Sequence, residues 1–304
     1  MFNDRFYSET LNNENPTLIN KLNIRDYNKL QEAELIFSIG NLFNLSVCPI
    51  KGNWDFDHLK KYHKYIFGDL YDFAGNIRRY DVIKYEEVLS GASVDYAKVE
   101  DIEANVDYHL LNFLKHDFAK LSHKEKTILF CDALVGVWKA HPFNEGNTRT
   151  ITKFMCDLAS FKGLDMNIVL FGDNADYFRR SMVVYSYGKN EYLEKIIGDA
   201  ISQGKQNIVS TKDLPILVNQ FVKGKIKKEN LINKKFYSEG EQYQIIDLQK
   251  NKGQANANAL IFNCDTREIY LEKDFARNVK FTLKLNQKIN NIEEIKKKEM
   301  WLDE

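Results

Sequence analysis

The chain has 304 residues, and its 43 Lys and Arg balance its 43 Asp and Glu, so the formal net charge at pH 7 is zero. A balanced charge creates no overall field that would draw the protein to nucleic acid or to an anionic membrane, and we expect neither as a partner. The length suffices for one main domain with a well-buried core and a smaller appendage.

The N-terminal residues and the cysteines favour a cytoplasmic protein. No basic segment followed by an apolar run opens the chain, and no apolar stretch is long enough to cross a bilayer. The four cysteines lie far apart in the sequence, which is typical of free thiols in a reducing compartment. We therefore expect a cytoplasmic location, and delivery into another cell by a dedicated secretion machine remains open.

Apolar residues recur at helical spacing through the first two thirds of the chain. Together with the start and stop signals of helices, this pattern predicts seven helices around one core. They are expected at Arg25–Leu45, Asp55–Leu70, Tyr96–Lys115, His123–Lys139, Asn147–Lys162, Ala175–Tyr187 and Asn190–Gln203. Between the second and third helices, the stretch Asn76–Ala92 is rich in β-branched and aromatic residues, which favours a short hairpin or an extended flap.

The composition changes after Gly204. A helix is expected at Asp213–Val222, and the lysine-rich run Lys223–Lys235 is typical of a solvated face or a linker. Strand-like segments separated by Gly, Asn and Asp follow, beginning at Tyr243, Ala259, Glu268 and Lys280, and the last segment, Ile292–Glu304, has a helical pattern. We therefore expect a main domain over residues 1–204, a helical, lysine-rich linker over 205–235 and a small β-rich module over 236–304.

The run from His141 to Arg149, His-Pro-Phe-Asn-Glu-Gly-Asn-Thr-Arg, combines groups that suit phosphate chemistry. Its last residues fall at the N-terminus of the fifth predicted helix, where outward-pointing N–H groups bind phosphate. Arg149 offers a planar fork of donors, and Glu145 is a hard oxygen ligand of the kind that holds Mg²⁺ on a substrate phosphate. His141 can accept a proton from a hydroxyl near neutral pH. The run predicts nucleotidyl or phosphoryl transfer from a metal–nucleotide.

The same run resembles the loop of the Fic/Doc family, His-x-Phe-x-Asp/Glu-Gly-Asn-x-Arg. The six fixed positions are matched by His141, Phe143, Glu145, Gly146, Asn147 and Arg149. The similarity extends from about Tyr7 to about Ala200, because Leu18–Arg25 resembles the start of the family's first core helix and Tyr65–Arg78 the stretch before its target-binding flap.

The resemblance implies a fold and an activity. The fold would be mainly α, a Fic-type helical bundle with a short β-hairpin flap over residues 1–204, to which the small C-terminal α+β module is added. The activity would be that of a protein adenylyltransferase, which transfers AMP from ATP, with Mg²⁺, to a Ser, Thr or Tyr hydroxyl of a target protein.

The resemblance also implies a role for each residue of the loop. His141 would be the base and Glu145 would hold Mg²⁺. Gly146, Asn147 and Thr148 would form the anion nest, while Arg149 would contact the outer phosphates. The flap would fall near residues 82–92, and the residues expected to clamp the target chain are Ile83, Lys84, Tyr85 and Leu89.

Two residues depart from the family pattern. Thr148 stands where a glycine is usual, and Thr152 stands where the family has a second arginine. Loss of that arginine weakens a phosphate clamp, since a charge-assisted hydrogen bond contributes roughly 1.5–3 kcal/mol. Three alternatives to AMP transfer stay open: transfer of another nucleotide, transfer of a phosphoryl group, and a catalytically silent protein that binds a nucleotide or a partner.

One stretch near the N-terminus matches an inhibitory motif of the family. Many family members carry an inhibitory Ser/Thr-x-x-x-Glu-Gly/Asn motif, whose glutamate pairs with the second arginine. Thr10 to Asn15 fits this motif with Glu14 as the inhibitory residue, but Thr152 leaves Glu14 without the expected partner. A small inhibitory protein of the antitoxin kind is the other open form of control.

The remaining histidines show no convincing metal spacing, so we expect them on solvated helix faces. They are His58, His63, His109, His116 and His123. Trp54 and Trp138 are expected in the core. Trp138 shares a helix face with Ile128, Cys131 and Val135, and this face would give His141 a rigid support.

Overall fold

The computed structural model describes residues 5–272, except 12, 14, 48, 205–208, 210–212, 233, 239–240, 251–256, 265 and 267–268, together with residues 275 and 288–289. The chain divides into two compact units, Met1–Gly204 and Lys205–Glu304. The first unit is helical and the second contains a β-sheet. A mainly α protein with a small β-rich module is thereby confirmed.

The helices of the described residues are α1 (Tyr27–Val47), α2 (Phe56–Phe67), α3 (Ile102–Leu114), α4 (His123–Ala140), α5 (Asn147–Phe161), α6 (Val169–Asp173), α7 (Ala175–Tyr185), α8 (Glu191–Gly204) and α9 (Leu214–Val222). Short 3₁₀ turns cover Ser8–Thr10, Glu87–Leu89, Val99–Asp101, Phe118–Lys120 and Lys228–Asn230. None of the described helices combines the length and the apolar character that crossing a bilayer requires.

The largest departures of the observed helices from the predicted ones are at two places. The third helix begins at Ile102 rather than at Tyr96, because the backbone around Lys98 is extended and the Ala97 N–H donates to the Lys139 carbonyl at 3.0 Å. The short helix α6 was not predicted, since its five residues are too few to display a helical period.

Helix α4 forms the centre of the helical unit. It packs against α3, α5 and α8, while α5 also packs against α2. Nine of the 18 residues of α4 are buried, on more than one of its faces, which is typical of a helix surrounded by others. Trp138 lies in this core, as expected, and it places the end of α4 on a rigid support.

A capping box fixes the start of α4. The Glu125 N–H donates to Ser122 Oγ at 3.3 Å, and the Ser122 N–H donates to the Glu125 carboxylate at 2.8 Å. These two bonds satisfy backbone donors that have no partner inside the helix. The position of α4 along the chain is therefore set by local sequence as well as by packing.

The second unit is an antiparallel meander in the order β1-β2-β3-β4-β5. Its strands are β1 (Lys235–Ser238), β2 (Glu241–Lys250), β3 (Ala257–Asn263), β4 (Ile269–Glu272) and β5 (Lys288–Ile289). Leu214, Val218 and Phe221 of α9 share a hydrophobic core with residues of the sheet, so α9 belongs to this unit. The predicted strand at Lys280 and the predicted helix at Ile292–Glu304 lie outside the described residues.

The flap, residues 82–93, has only a minimal hairpin. One antiparallel bridge joins Tyr85 to Ser93, and the turn between them contains the 3₁₀ segment Glu87–Leu89. The Glu86 N–H donates to the Ala92 carbonyl at 3.0 Å, which closes the turn. The flap is thus a held loop with a defined inner and outer face.

Loss of the α4 cap should destabilise the protein. Ser122→Ala removes the acceptor for the Glu125 N–H, and the free energy of unfolding should fall by about 1 kcal/mol. The measurement is urea unfolding of the full chain followed by circular dichroism. Ser46→Ala is the control, because the Ser46 hydroxyl only returns to the Leu42 carbonyl inside α1. Equal stability of the two variants would contradict a capping role for Ser122.

Candidate active site

The loop between α4 and α5 forms one wall of a cavity of about 200 Å³. The lining residues are Lys84, Trp138, His141, Glu145, Gly146, Asn147, Thr148, Arg149 and Arg179. Every residue predicted for the loop site is therefore at this cavity. Of the four predicted flap residues, only Lys84 lines it.

His141 ends α4 with a left-handed backbone, at φ 45° and ψ 55°. The side chain is only 4% exposed, and neither ring nitrogen has a hydrogen-bond partner among the described residues. Buried polar atoms nearly always have a partner, so an imidazole left in this state indicates a position built for a ligand or a substrate.

The pKa of His141 lies well below the ordinary value for histidine. Burial is the main cause, and the positive charges of Lys84, Arg78 and Arg179 act in the same direction. The ring is therefore neutral at pH 7. A neutral imidazole has a free lone pair and can accept a proton.

Arg78 holds the backbone on both sides of His141. Its Nε donates to the His141 carbonyl at 2.7 Å, one Nη donates to the Tyr80 carbonyl at 2.5 Å, and the other donates to the carbonyls of Ala97 and, at 3.3 Å, Ala140. The Arg78 N–H donates to the Pro142 carbonyl at 2.8 Å. This fully buried side chain was missed by sequence reasoning, because nothing in a single sequence links it to a loop 63 residues away.

The loop is closed internally by Asn147. Its side-chain amide donates to the Phe143 carbonyl at 2.7 Å and accepts from the Phe143 N–H at 2.9 Å. The Phe143 ring is fully buried and stacks on the ring of His63, with centroids 3.8 Å apart. The side chain of Asn147 is thus occupied in shaping the loop, which leaves its backbone N–H for a nest.

His63 supports the loop from α2 and does not lie on a solvated face as expected. Its Nδ1 accepts from the Gly75 N–H at 2.8 Å, so the hydrogen on Nε2 is directed to the Glu145 carbonyl, 3.0 Å away. Burial lowers the pKa of His63 to about 4. His58 is buried as well, with Nε2 at 2.8 Å from the Ile50 carbonyl. Both predictions were wrong because the buried face of α2 includes its histidines.

The N-terminus of α5 presents unpaired amides to the cavity. The Gly146 N–H donates to Glu145 Oε1 at 2.9 Å, whereas the N–H groups of Asn147, Thr148 and Arg149 have no partner within the described part of the chain. Gly146 has φ 74°, and a Cβ added there would lie 2.2 Å from the Phe67 ring, so glycine is required. This arrangement is an anion nest at a helix end.

The structure explains one departure from the family pattern and exposes the effect of the other. The Thr148 hydroxyl accepts from the Trp138 indole N–H at 3.1 Å, so threonine supplies an acceptor that glycine lacks. The Thr152 hydroxyl is buried, and Thr152 does not line the cavity. No positive charge comes from that position.

Arg149 is tied to α1. Its guanidinium donates to the buried carboxylate of Glu34, donates to Ser38 Oγ at 2.9 Å and stacks over the Phe67 ring at 4.9 Å. Glu34 also accepts from the Tyr71 hydroxyl at 2.5 Å. Arg149 therefore reaches the cavity already neutralised in part by a carboxylate, and sequence reasoning did not identify that carboxylate.

A second arginine at the cavity, Arg179 of α7, was also missed. It makes a bidentate pair with Glu86 of the flap, at 2.6 and 2.8 Å. The same contact raises the pKa of Arg179 above the ordinary value. The pair joins the flap to α7, so the wall that carries Lys84 is anchored on a helix.

The donor set for a metal is small. Glu145 contributes one half-exposed carboxylate, 3.9 Å from Arg149, and the described residues contain no group of three or more His, Cys, Asp or Glu side chains able to hold a metal ion. One carboxylate with water and phosphate oxygens is the way Mg²⁺ is commonly held beside a nucleotide. The residues present fit a metal that arrives with its substrate.

The other predicted flap residues lie away from the cavity. Ile83 and Tyr85 are 73% and 81% exposed, while Leu89 is half-buried against the helical core. Glu14, the residue named for self-inhibition, lies outside the described residues.

Known proteins share both the fold of the helical unit and the loop from His141 to Arg149. The model of the Fic/DOC family matches residues 53–158. Protein adenylyltransferase VbhT of Bartonella schoenbuchensis is 28% identical over 192 residues, which is 60% of this chain and 37% of VbhT. A protein of Sinorhizobium fredii named probable protein adenylyltransferase y4lH is 30% identical over 151 residues, which is 49% of this chain and 74% of y4lH.

Among solved structures, the N-terminal Fic domain of a VirB-translocated Bep effector protein from Bartonella quintana, with bound ADP, superposes with a TM-score of 0.51. The identity is 22%, and the match covers 64% of this chain and 93% of that domain. The helical bundle, with its loop at the start of α5, is thus a Fic-type fold. On these similarities, the chain belongs to the Fic/DOC family.

The role of Arg78 can be tested against its neighbour. Arg78→Met leaves several buried carbonyls without a donor and should lower the free energy of unfolding by roughly 3 kcal/mol. Arg79→Met is the matched control, since Arg79 is exposed. Chemical unfolding of the two variants beside the wild type measures the difference. If both variants unfold at the same urea concentration, Arg78 does not hold the loop.

Proposed function

We propose that this protein is an adenylyltransferase, which transfers AMP from ATP to a Ser, Thr or Tyr hydroxyl of another protein. The observation that carries the proposal is the pairing, in one cavity, of the buried and unpartnered His141 ring with the unpaired amides that begin α5. A proton acceptor beside an anion nest is the equipment that transfer to a hydroxyl requires.

The cavity suits the phosphate part of a nucleotide. Its volume of about 200 Å³ is below the range of about 300–1,000 Å³ that is usual for the site of a whole drug-sized ligand. Polar and cationic groups dominate its lining. The adenylyltransferase names of both relatives and the ADP bound by the Bartonella quintana domain support an adenine nucleotide. The base and ribose would then extend beyond the enclosed part of the site.

The residues would divide the reaction between them. The target oxygen forms a bond to the α-phosphorus of ATP, its proton passes to a ring nitrogen of His141, and the bond from that phosphorus to the bridging oxygen of the β-phosphate breaks. Pyrophosphate leaves with the electron pair of the broken bond. The amides of Asn147, Thr148 and Arg149 stabilise the negative charge of the phosphates.

The metal would be held by Glu145 in the presence of the nucleotide. When bound, Mg²⁺ would neutralise phosphate charge and orient the leaving group. The hydrogen bond from His63 to the Glu145 carbonyl fixes the backbone of Glu145. The partly exposed carboxylate therefore extends from a fixed position.

The charge balance of the site would make His141 a better base when the nucleotide is bound. The cations Lys84, Arg78 and Arg179 lower its pKa in the free protein. Phosphate anions beside these cations offset their effect and favour the protonated ring. The acceptor would therefore gain basicity at the stage when the proton is transferred.

Phosphoryl transfer is the second candidate, together with transfer of another nucleotide. Thr152 supplies no charge to the outer phosphate, which leaves the position of the triphosphate less constrained than the family pattern implies. A catalytically silent, nucleotide-binding protein is the alternative outside the enzyme class. The retained pair of His141 and Glu145 favours an enzyme.

We also propose partners and a place of action. We propose a target protein that offers an extended segment to Ile83 and Tyr85 on the outer face of the flap, with Leu89 supporting the turn. The protein would act in the cytoplasm, its own or that of another cell, and a small inhibitory protein would restrain it.

His141→Asn should abolish label transfer without abolishing nucleotide binding. Asparagine tolerates the left-handed backbone of position 141 but is not a base, so the rate of transfer from α-labelled ATP should fall by about 10²-fold or more. Titration calorimetry with Mg-ATP should give nearly the wild-type affinity. His123→Asn, at the exposed start of α4, is the control. Full activity of His141→Asn would refute the base assignment.

The transferred group is identified by the position of the label. The full chain, candidate targets and a cell lysate are incubated with ATP labelled on the α- or on the γ-phosphate. Label from the α-phosphate alone on protein is expected for AMP transfer. Label from the γ-phosphate alone would establish phosphoryl transfer instead, and binding of Mg-ATP without any labelling would favour the silent alternative.

A further inference from the structure

The inner face of the flap carries Lys84. Exposure alternates along residues 83–85: Ile83 and Tyr85 are exposed to solvent, and Lys84 between them lines the cavity. This orientation is fixed by the backbone, because the Lys84 N–H donates to Ser93 Oγ at 3.1 Å and Tyr85 forms a bridge with Ser93. The position of the lysine is therefore built into the flap.

Lys84 differs from the other cations that line the cavity. Arg149 is paired with Glu34, and Arg179 is paired with Glu86. The ammonium of Lys84 has neither an ion pair nor a hydrogen-bond partner within the described part of the chain. Burial lowers the pKa of Lys84, and attraction from Glu145 opposes this effect. A half-buried ammonium without a paired anion is costly, and an anion entering the cavity would remove that cost.

The positive charge that an arginine at position 152 would supply is absent from the cavity that Lys84 lines. Position 152 is a threonine that does not line the cavity, so α5 contributes only Arg149 as a cation, and that cation is already paired with α1. The N-terminus of α5 and Lys84 face the same enclosed space of about 200 Å³. A polyanion bound to the nest of α5 would share this space with Lys84 of the flap.

We propose that Lys84 binds the phosphate chain of the nucleotide and supplies from the flap the positive charge that α5 lacks at position 152. This inference rests on the proposed function, since it assigns a further residue to the same site. Lys84 is then a nucleotide contact rather than a residue that clamps the target chain.

With this assignment, the inner face of the flap binds the nucleotide and its outer face binds the target. A phosphate that fixes Lys84 also fixes the backbone of Ile83 and Tyr85, the residues that face outward. Nucleotide bound inside would therefore favour the flap conformation that receives a target outside, and by linkage target binding would strengthen nucleotide binding equally.

The test compares Lys84→Met with Lys84→Arg in the full chain. Methionine keeps the unbranched apolar stem without the charge, whereas arginine keeps the charge. Calorimetry with ATP should show affinity weakened about tenfold or more in Lys84→Met and within about threefold of wild type in Lys84→Arg. Lys189→Met is the matched control, because Lys189 is exposed and does not line the cavity, and this variant should leave ATP affinity unchanged. The dependence of ATP affinity on KCl concentration should also be weaker in Lys84→Met, because one charge contact is lost.

Two results would overturn the inference alone. These are wild-type affinity of Lys84→Met for ATP, and an equal loss in Lys84→Met and Lys84→Arg, which would indicate a structural role. In both cases loss of transfer in His141→Asn would still support the proposed function. Failure of the wild-type chain to bind ATP would instead remove the proposed function, and the inference with it.

Discussion

The geometry of the site depends on one buried guanidinium that is bound almost entirely to backbone carbonyls. Arg78 stands where the flap leaves the helical core, and it grips the chain from Ala140 to Pro142 as well as Tyr80. The nearest carboxylate, on Asp81, is 3.7 Å away and exposed. Carbonyl dipoles therefore supply most of the compensation for the buried charge of Arg78. These carbonyls surround the guanidinium only while the loop is folded. Arg78 thus joins the segment that precedes the flap to the loop, and the Tyr80 hydroxyl adds a hydrogen bond to Asn144 Oδ1 at 2.6 Å.

The electrostatics of the cavity depend on which of its charged and polar groups already have a partner. Arg149 and Arg179 enter it with carboxylates attached, contributed by α1 and by the flap. His141 is kept neutral by its surroundings and has no partner for its ring within the described residues. The groups left unsatisfied are those that a phosphate ester and a hydroxyl would satisfy. Different groups thus stabilise the site and bind the ligand. The paired groups fix the walls of the cavity, and the unpaired groups are available to a ligand.

Local signals in the sequence predicted a large part of this arrangement. The apolar period located α4, and the glycine of the loop marked the start of α5. Hence the order of His141, Glu145 and Gly146 along one cavity wall could be anticipated. The partners that come from distant parts of the chain could not be predicted. His63, Glu34 and Arg179 are ordinary helix residues and Arg78 precedes the flap, so only tertiary packing brings them to the loop. The histidines of α2 were misplaced for the same reason, because a polar side chain on a buried face looks like a surface residue in one sequence.

The hydrogen bond between Trp138 and Thr148 has an optical consequence. The indole belongs to the wall of the cavity, and its N–H is held by a residue of the nest. Indole emission shifts with local polarity and with the state of this N–H, so the light emitted by Trp138 depends on what fills the space beside it. The chain contains three tryptophans, and replacing the other two by phenylalanine would leave a chromophore of its own at the heart of the site. Because Thr148 binds this indole, the fluorescence of Trp138 reports whether a ligand occupies the cavity.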